Sequence, residues 1–172
     1  MTIPWAQNDA LFKKLVSDGH AWQALPFIFL KLSGFDVEMP NLTIRPHISE
    51  AKRWLHTYDL KIGEHLIEVK SRPFRFTGPQ DWPSPRLPAF LDTTKKWEAK
   101  PAKPFAYIFV SKPTGGMVST CSVAGASGRW ERLWRFDHVR KINEEFYAVG
   151  RQHLVTMDVL VDALRKDATN GL

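Results

Sequence analysis

The chain has one cysteine, Cys121, among its 172 residues. A disulfide framework is therefore excluded, and a reducing compartment suits the composition. Long hydrophobic runs are missing as well. The most apolar stretch, Ala24 to Leu30, is broken by Pro26 and falls far short of a bilayer's width. The first residues, MTIPWAQNDALFKKLVSDG, lack the basic segment and apolar core of a secretory signal. These absences lead us to expect a cytoplasmic protein without a membrane partner. Internal repeats and low-complexity tracts are missing, and so are several chemical signatures. The six histidines show no HExxH spacing and, with one cysteine, no zinc-site pattern. The glycine pair of TGGM at 114–117 has no lysine placed to make a phosphate-binding loop, and no GxSxG elbow is present.

What is present fits one well-packed domain spanning residues 1–172. Hydrophobic residues make up 44% and charged residues 24%, values of a globular chain. The formal charge of +6 favours a polyanionic partner, nucleic acid first, because each neutralised phosphate releases counterions. Four of the seven tryptophans, Trp82, Trp97, Trp130 and Trp134, stand among Arg and Lys. There a ring can stack on a base, although each ring serves equally well in a core.

Asn8 or Asp9 can cap a helix beginning ALFKKLV, which Asp18-Gly19 is expected to break. A second helix, His20 to Ser33, then runs to a stop at Gly34. FDVEMPNLTIRP has the texture of a strand or strand pair, and WLHTYDLKI and HLIEVKSR of two strands joined at Gly63-Glu64. Residues 73–88 hold five prolines and form a long loop. AFLDTTKKWEAK is expected to be a helix, and FAYIFVS a central apolar strand. KPTGGMVSTCSVAGASGR has the composition of a turn and loop, with Gly115-Gly116 shaping a hairpin. RWERLWRFDHV and EEFYAVG follow as strands, then a helix begins after Thr156. The class is α/β, with a central mixed sheet flanked by helices. The core covers about residues 9–111, and a strand and helix extension covers about 112–172.

The hairpin carries the chemistry. A two-residue turn at Gly63-Glu64 sets Ile62 against His65, Leu60 against Ile67, and Asp59 directly opposite Glu68. Directly opposed carboxylates repel and destabilise a sheet. Lys70 projects from the same face as Glu68, while Ile67 and Val69 face a core. A divalent cation resolves the conflict, since Mg²⁺ is commonly held by one or two carboxylates, water and substrate phosphate. An adjacent ammonium can then orient or activate water and steady charge on phosphate. A plain salt bridge between Lys70 and Glu68 at a solvated edge is the bland alternative.

Asp59 followed by Glu68-Val69-Lys70, after a helix ending at Gly34 and before a helix and an apolar strand, resembles the PD-(D/E)xK nuclease superfamily. The resemblance covers about residues 9–111 and implies the restriction-endonuclease-like αβββαβ core. It implies Asp59 and Glu68 as metal ligands, the Val69 carbonyl as a third, and Lys70 as the catalytic lysine. The residue before Asp59 is Tyr58 rather than proline. Many members carry a glutamate on the first helix, where this chain has Gln23, with His20 one turn earlier. Gln23 would then act from behind the ligands through water; His20 either joins it there or is a surface residue at the start of that helix, the second being the favoured reading. The resemblance also nominates Ser71, Arg72, Arg75, Arg86, Lys95 and Lys96 for contacts to DNA phosphates. The expected function is Mg²⁺-dependent cleavage of phosphodiester bonds in DNA, as an endonuclease, with Mn²⁺ able to substitute. A homodimer or a partner protein fits the small size. The competing readings are a nucleic-acid- or protein-binding module without turnover, and an RNA-cleaving nuclease.

Overall fold

The computed structural model describes residues 5–41, 58–121, 129–137 and 141–170. It opens with helix α1 (Trp5–Leu32), which runs through both Gly19 and Pro26. The expected break at Asp18-Gly19 does not occur. A glycine inside a helix costs only about 1 kcal/mol, and Pro26 forfeits one bond, to the Trp22 carbonyl. Packing outweighs both, with Pro26 and Leu30 buried. The helix stops at Gly34, whose φ of +92° suits glycine. Its N–H donates to the Lys31 carbonyl at 3.0 Å, and the Phe35 N–H donates to Leu30 at 3.2 Å, a Schellman closure.

The strands follow as β1 (Val37–Glu38), β2 (Leu60–Ile62), β3 (His65–Arg72) and β4 (Ala89–Thr93). Helix α2 (Thr94–Ala99), β5 (Ala106–Ser111), β6 (Met117–Cys121), β7 (Trp130–Asp137), β8 (Ile142–Val149) and α3 (Met157–Asn170) complete the chain. The rest of the expected strand pair after Pro40, and the residues WLHT before Tyr58, fall in 42–57, outside the described residues. Among the described residues no helix is long and apolar enough to cross a membrane.

Five strands form a mixed sheet in the order β1-β2-β3-β5-β6, and three form an antiparallel sheet in the order β4-β8-β7. In the larger sheet β3 and β5 pair in parallel, as expected for two strands linked by a crossover. The β2–β3 register matches the sequence expectation, with Leu60 against Ile67 and Ile62 against His65. Gly63, at φ +54°, supplies the turn.

Two expectations fail. AFLDTTKKWEAK is not one helix: Ala89–Thr93 is β4, and only Thr94–Ala99 is helical. β4 pairs with β8, far along the chain, so local periodicity could not reveal it. The Thr93 side chain then caps α2 by accepting from the Lys96 N–H at 3.1 Å. KPTGGMVSTCSVAGASGR is likewise not all loop, since Met117–Cys121 forms β6, paired with β5 from Ala106 to Val110. The larger sheet therefore runs past residue 111, while β4 belongs to the smaller sheet.

β5 is buried throughout and faces two cores. Ala106, Ile108 and Val110 pack with Leu30, Leu60, Ile67 and the α3 residues Met157, Leu160, Val161 and Leu164. Tyr107 and Phe109 face the other way, against Phe76, Trp82, Leu91, Val149 and Leu154. The helices α1 and α3 thus cover one face, and the smaller sheet with the 73–88 loop covers the other. Trp97 docks α2 onto this second layer through edge contacts with Trp130 and Tyr147, at 5.8 and 5.1 Å between ring centroids.

Gly116 locks the loop to the sheet. A Cβ there would collide with the Phe76 carbonyl oxygen and the backbone of Thr77, whereas a Cβ on Gly19 meets nothing within 4 Å. Gly116→Ala should therefore lower the unfolding free energy in urea by roughly 1–3 kcal/mol. Gly19→Ala should raise it by up to about 1 kcal/mol. Equal stability of the two variants would contradict this packing.

Candidate functional site

Alternation along β3 divides its side chains between two environments. Ile67 and Val69 join the core under α1 and α3. Glu68, Lys70 and Arg72 face the second layer, where β4 and α2 bring their own charges.

Asp59 closes the β2 end of the hairpin in a way the simple register did not anticipate. Its N–H donates to the Ile67 carbonyl at 3.1 Å, so the ladder slips at this residue. Its carboxylate then takes over as a backbone partner, with Oδ2 accepting from the Val69 N–H at 2.7 Å. Oδ1 accepts from Gln23 Nε2 on α1, also at 2.7 Å. Asp59 is therefore beside Glu68 rather than squarely opposite it, and Gln23 touches it directly rather than through water. His20 is half-buried one turn earlier on α1. Burial, then the charge of Glu68, pushes the Asp59 carboxyl up to about 6, against the pull of the Val69 N–H, Lys70 and Lys96.

Glu68 and Asp92 are both buried, and two lysines bridge them. Lys70 Nζ lies 3.2 Å from Glu68 Oε2 and 2.9 Å from Asp92 Oδ1. Lys100 Nζ lies 2.5 Å from Glu68 Oε1 and 2.7 Å from Asp92 Oδ2. Acid and base alternate around a closed ring of four side chains. Lys96 adds an outer contact to Asp92 Oδ1 at 3.3 Å, and the Tyr107 hydroxyl donates to Asp92 Oδ2 at 3.0 Å. Burial alone would raise both acids, but Lys70, Lys96 and Lys100 overcome it and hold Glu68 and Asp92 below their usual values. For Lys70 burial pulls downward, yet Glu68, Asp92 and Asp59 keep the ammonium above its ordinary range. Burial and the neighbouring carboxylates drive the Tyr107 hydroxyl upward, so it stays a donor.

Asp92, Lys100 and Tyr107 were not anticipated. The sequence does hold a trace of the first two, because Asp92, Lys96 and Lys100 are spaced by four, the spacing of one helix face. Among the described residues no three acidic, histidine or cysteine side chains converge closely enough to hold a metal ion. Two carboxylates sharing one cation position do occur, at Lys100.

The proposed phosphate contacts separate into groups. Arg75 and Arg86 are exposed on the 73–88 loop, and Ser71 is half-buried on β3. Arg72 turns inward: its guanidinium lies 4.9 Å from the Phe109 ring and donates to the Phe90 carbonyl at 2.5 Å. Burial, with Arg135 nearby, lowers its pKa to about 10. Lys95 is exposed and lines a cavity of about 170 Å³ with Trp134 and Glu145. Of the four tryptophans considered for base stacking, Trp82 is buried, Trp97 and Trp130 are packed together, and Trp134 is 71% exposed.

No family model, no curated protein and no solved structure matches the chain. The function must therefore be argued from this geometry.

The raised pKa of Asp59 has a stability consequence. Its folded value, about 6, lies above the unfolded 3.8, so its contribution is fully present below 3.8 and is lost as pH rises through 6. Asp59→Asn removes that dependence. Its unfolding free energy relative to wild type should improve by about 2 kcal/mol between roughly pH 4 and pH 7. A difference independent of pH would show that Asp59 ionises normally.

Proposed function

We propose that this chain is a metal-dependent nuclease of the PD-(D/E)xK type, cutting phosphodiester bonds in DNA. The observation that carries the reading is the meeting of Asp59, Glu68 and Lys70 at a hairpin whose second strand pairs in parallel with β5. The element order adds support: a long helix, three strands, then, after β4, a helix and a buried strand. Gln23 on α1, bonded to Asp59, stands where the family often has a glutamate.

The donor chemistry fits a hard divalent cation. Carboxylate oxygens of Glu68 and Asp92 already flank a cation, the Lys100 ammonium, within 2.7 Å. Mg²⁺ often takes only one or two carboxylates, leaving its remaining positions to water and phosphate. Asp59, Glu68 and the Val69 carbonyl would hold Mg²⁺, with Mn²⁺ able to replace it. Bound there, the ion supplies positive charge that lowers the pKa of water and offsets charge on the phosphate. Lys70 is fixed by β3 and by its two carboxylate partners, so its ammonium can orient the attacking water or hold a phosphate oxygen. Gln23 fixes the rotamer of Asp59. Arg75, Arg86 and the outer lysines of α2 supply charge for the backbone of the nucleic acid.

One observation favours a binding module without turnover. Both oxygens of Glu68 and both of Asp92 already have ammonium partners, so the ring is electrostatically satisfied. Incubating the protein with plasmid, single-stranded DNA, branched DNA and RNA, each with Mg²⁺, Mn²⁺ or chelator, separates the two. Cleavage should require metal, and Glu68→Gln and Lys70→Met should each reduce it on the order of a hundredfold or more. Absence of metal-dependent cleavage on every substrate would leave the binding module.

A further inference from the structure

We propose that Lys100 is a tethered counter-cation, holding the ion position between Glu68 and Asp92 and yielding it to a divalent metal. Asp92 then becomes a metal-facing carboxylate that the hairpin motif does not contain. The inference rests on the nuclease reading and names how its metal would enter.

The geometry at Lys100 differs from that of an ordinary surface salt bridge. One ammonium, on a side chain 10% exposed, contacts oxygens from two carboxylates at 2.5 and 2.7 Å. These are short charge-assisted distances. The two acids come from different strands, β3 and β4, and are oriented towards a common cation. A divalent ion added beside an intact ring would sit against both Lys70 and Lys100, three like-signed centres in a space with little water. Coulomb repulsion at such range is severe in a buried site, so one ammonium must leave.

Lys100 is the one built to leave. Lys70 stands inside β3, where the strand pairs with β5 at Phe109. Lys100 is the residue that ends α2, with extended backbone at φ −67° and ψ 125°, followed by exposed Pro101, Ala102 and Lys103. The helix end does not depend on its side chain. Lys103 Nζ receives no help from it and donates to the carbonyls of Trp97, Glu98 and Lys100 at 2.7, 3.0 and 2.9 Å. The Lys100 ammonium can swing outward while α2 stays capped. Lys96, exposed and in contact with Asp92 Oδ1, marks the solvent side of the ring.

Titration of metal-free protein with Mn²⁺ alone, followed by calorimetry and by loss of the free-ion paramagnetic signal, tests the exchange. Lys100→Met should bind Mn²⁺ roughly tenfold more tightly than wild type, because a competing unit charge is gone. Its metal-free melting temperature should fall, because two carboxylates lose a partner. Adding Asp92→Asn to Lys100→Met should cancel the gain in affinity. If Lys100→Met does not fold, the ¹⁵Nζ signal of Lys100 in the wild-type protein decides: Mg²⁺ should move it to the position of a solvent-exposed lysine. Unchanged Mn²⁺ affinity in Lys100→Met, or an unmoved Lys100 signal at high Mg²⁺, would overturn the inference. Metal-dependent cleavage by the wild type would then leave the nuclease reading standing. Absence of both metal binding and cleavage would sink the two together. Retained gain in the double variant would remove Asp92 from the site.

Discussion

The ion ring of Glu68, Lys70, Asp92 and Lys100 ties β4 and the end of α2 to β3 of the larger sheet. One acid and one lysine come from β3, the other acid from β4 and the other lysine from the end of α2, while the Tyr107 hydroxyl joins from β5. Each ion buried there has lost most of its hydration, and only an opposite charge at hydrogen-bonding distance offsets that loss. The arrangement therefore constrains position more strictly than an apolar contact would. A small shift of β4 away from β3 would leave two charges buried and unpaired, which is costly. The smaller sheet is held in register against the larger one by this requirement as well as by Leu91, Val149 and the aromatic cluster beside them.

The same strand that carries the ring also carries the deepest apolar core. β3 sends Ile67 and Val69 towards α1 and α3, and Glu68 and Lys70 the other way. A strand buried on both faces usually reads as continuously hydrophobic. Here one face is charged, and the charges are kept at a defined place by rigid neighbours on both sides. That is the kind of support a reacting centre needs, since side chains held by packing lose little additional freedom when a substrate arrives. Arg72 extends the pattern, its guanidinium stacked on Phe109 with its charge directed at the Phe90 carbonyl. It is a joint between the two layers.

Much of this was legible in the chain. Alternation in HLIEVKSR and the Gly63 turn predict the hairpin register, because side chains on a strand repeat every second residue and glycine accepts positive φ. The apolar run AYIFVS predicts a central strand, and β5 is buried throughout. Asp59, Glu68 and Lys70 do come together. The misses have a common cause. Gly19 is a local helix breaker overruled by packing, AFLDT is a strand only because β8 lies beside it, and MVSTC is a strand only because β5 does. Asp92 and Lys100 stood in a stretch read as one helix, so their approach to Glu68 could not be seen.

By itself the sequence determined the local grammar: where the hairpin turns, which β3 residues share a face, and that acid, acid and lysine would be neighbours. Those properties depend on spacings of a few residues, which any reader of the chain can count. Beyond the Lys70–Glu68 pair, the tertiary structure alone decided what neutralises the acids. Pairing of β4 with β8 and the docking of α2 carry Asp92 onto the ammonium of Lys70, 22 positions away in the chain, and Lys100 onto the carboxylate of Glu68, 32 positions away. Contacts of that range are set by the balance of burial and charge over the whole fold, and no short stretch contains it.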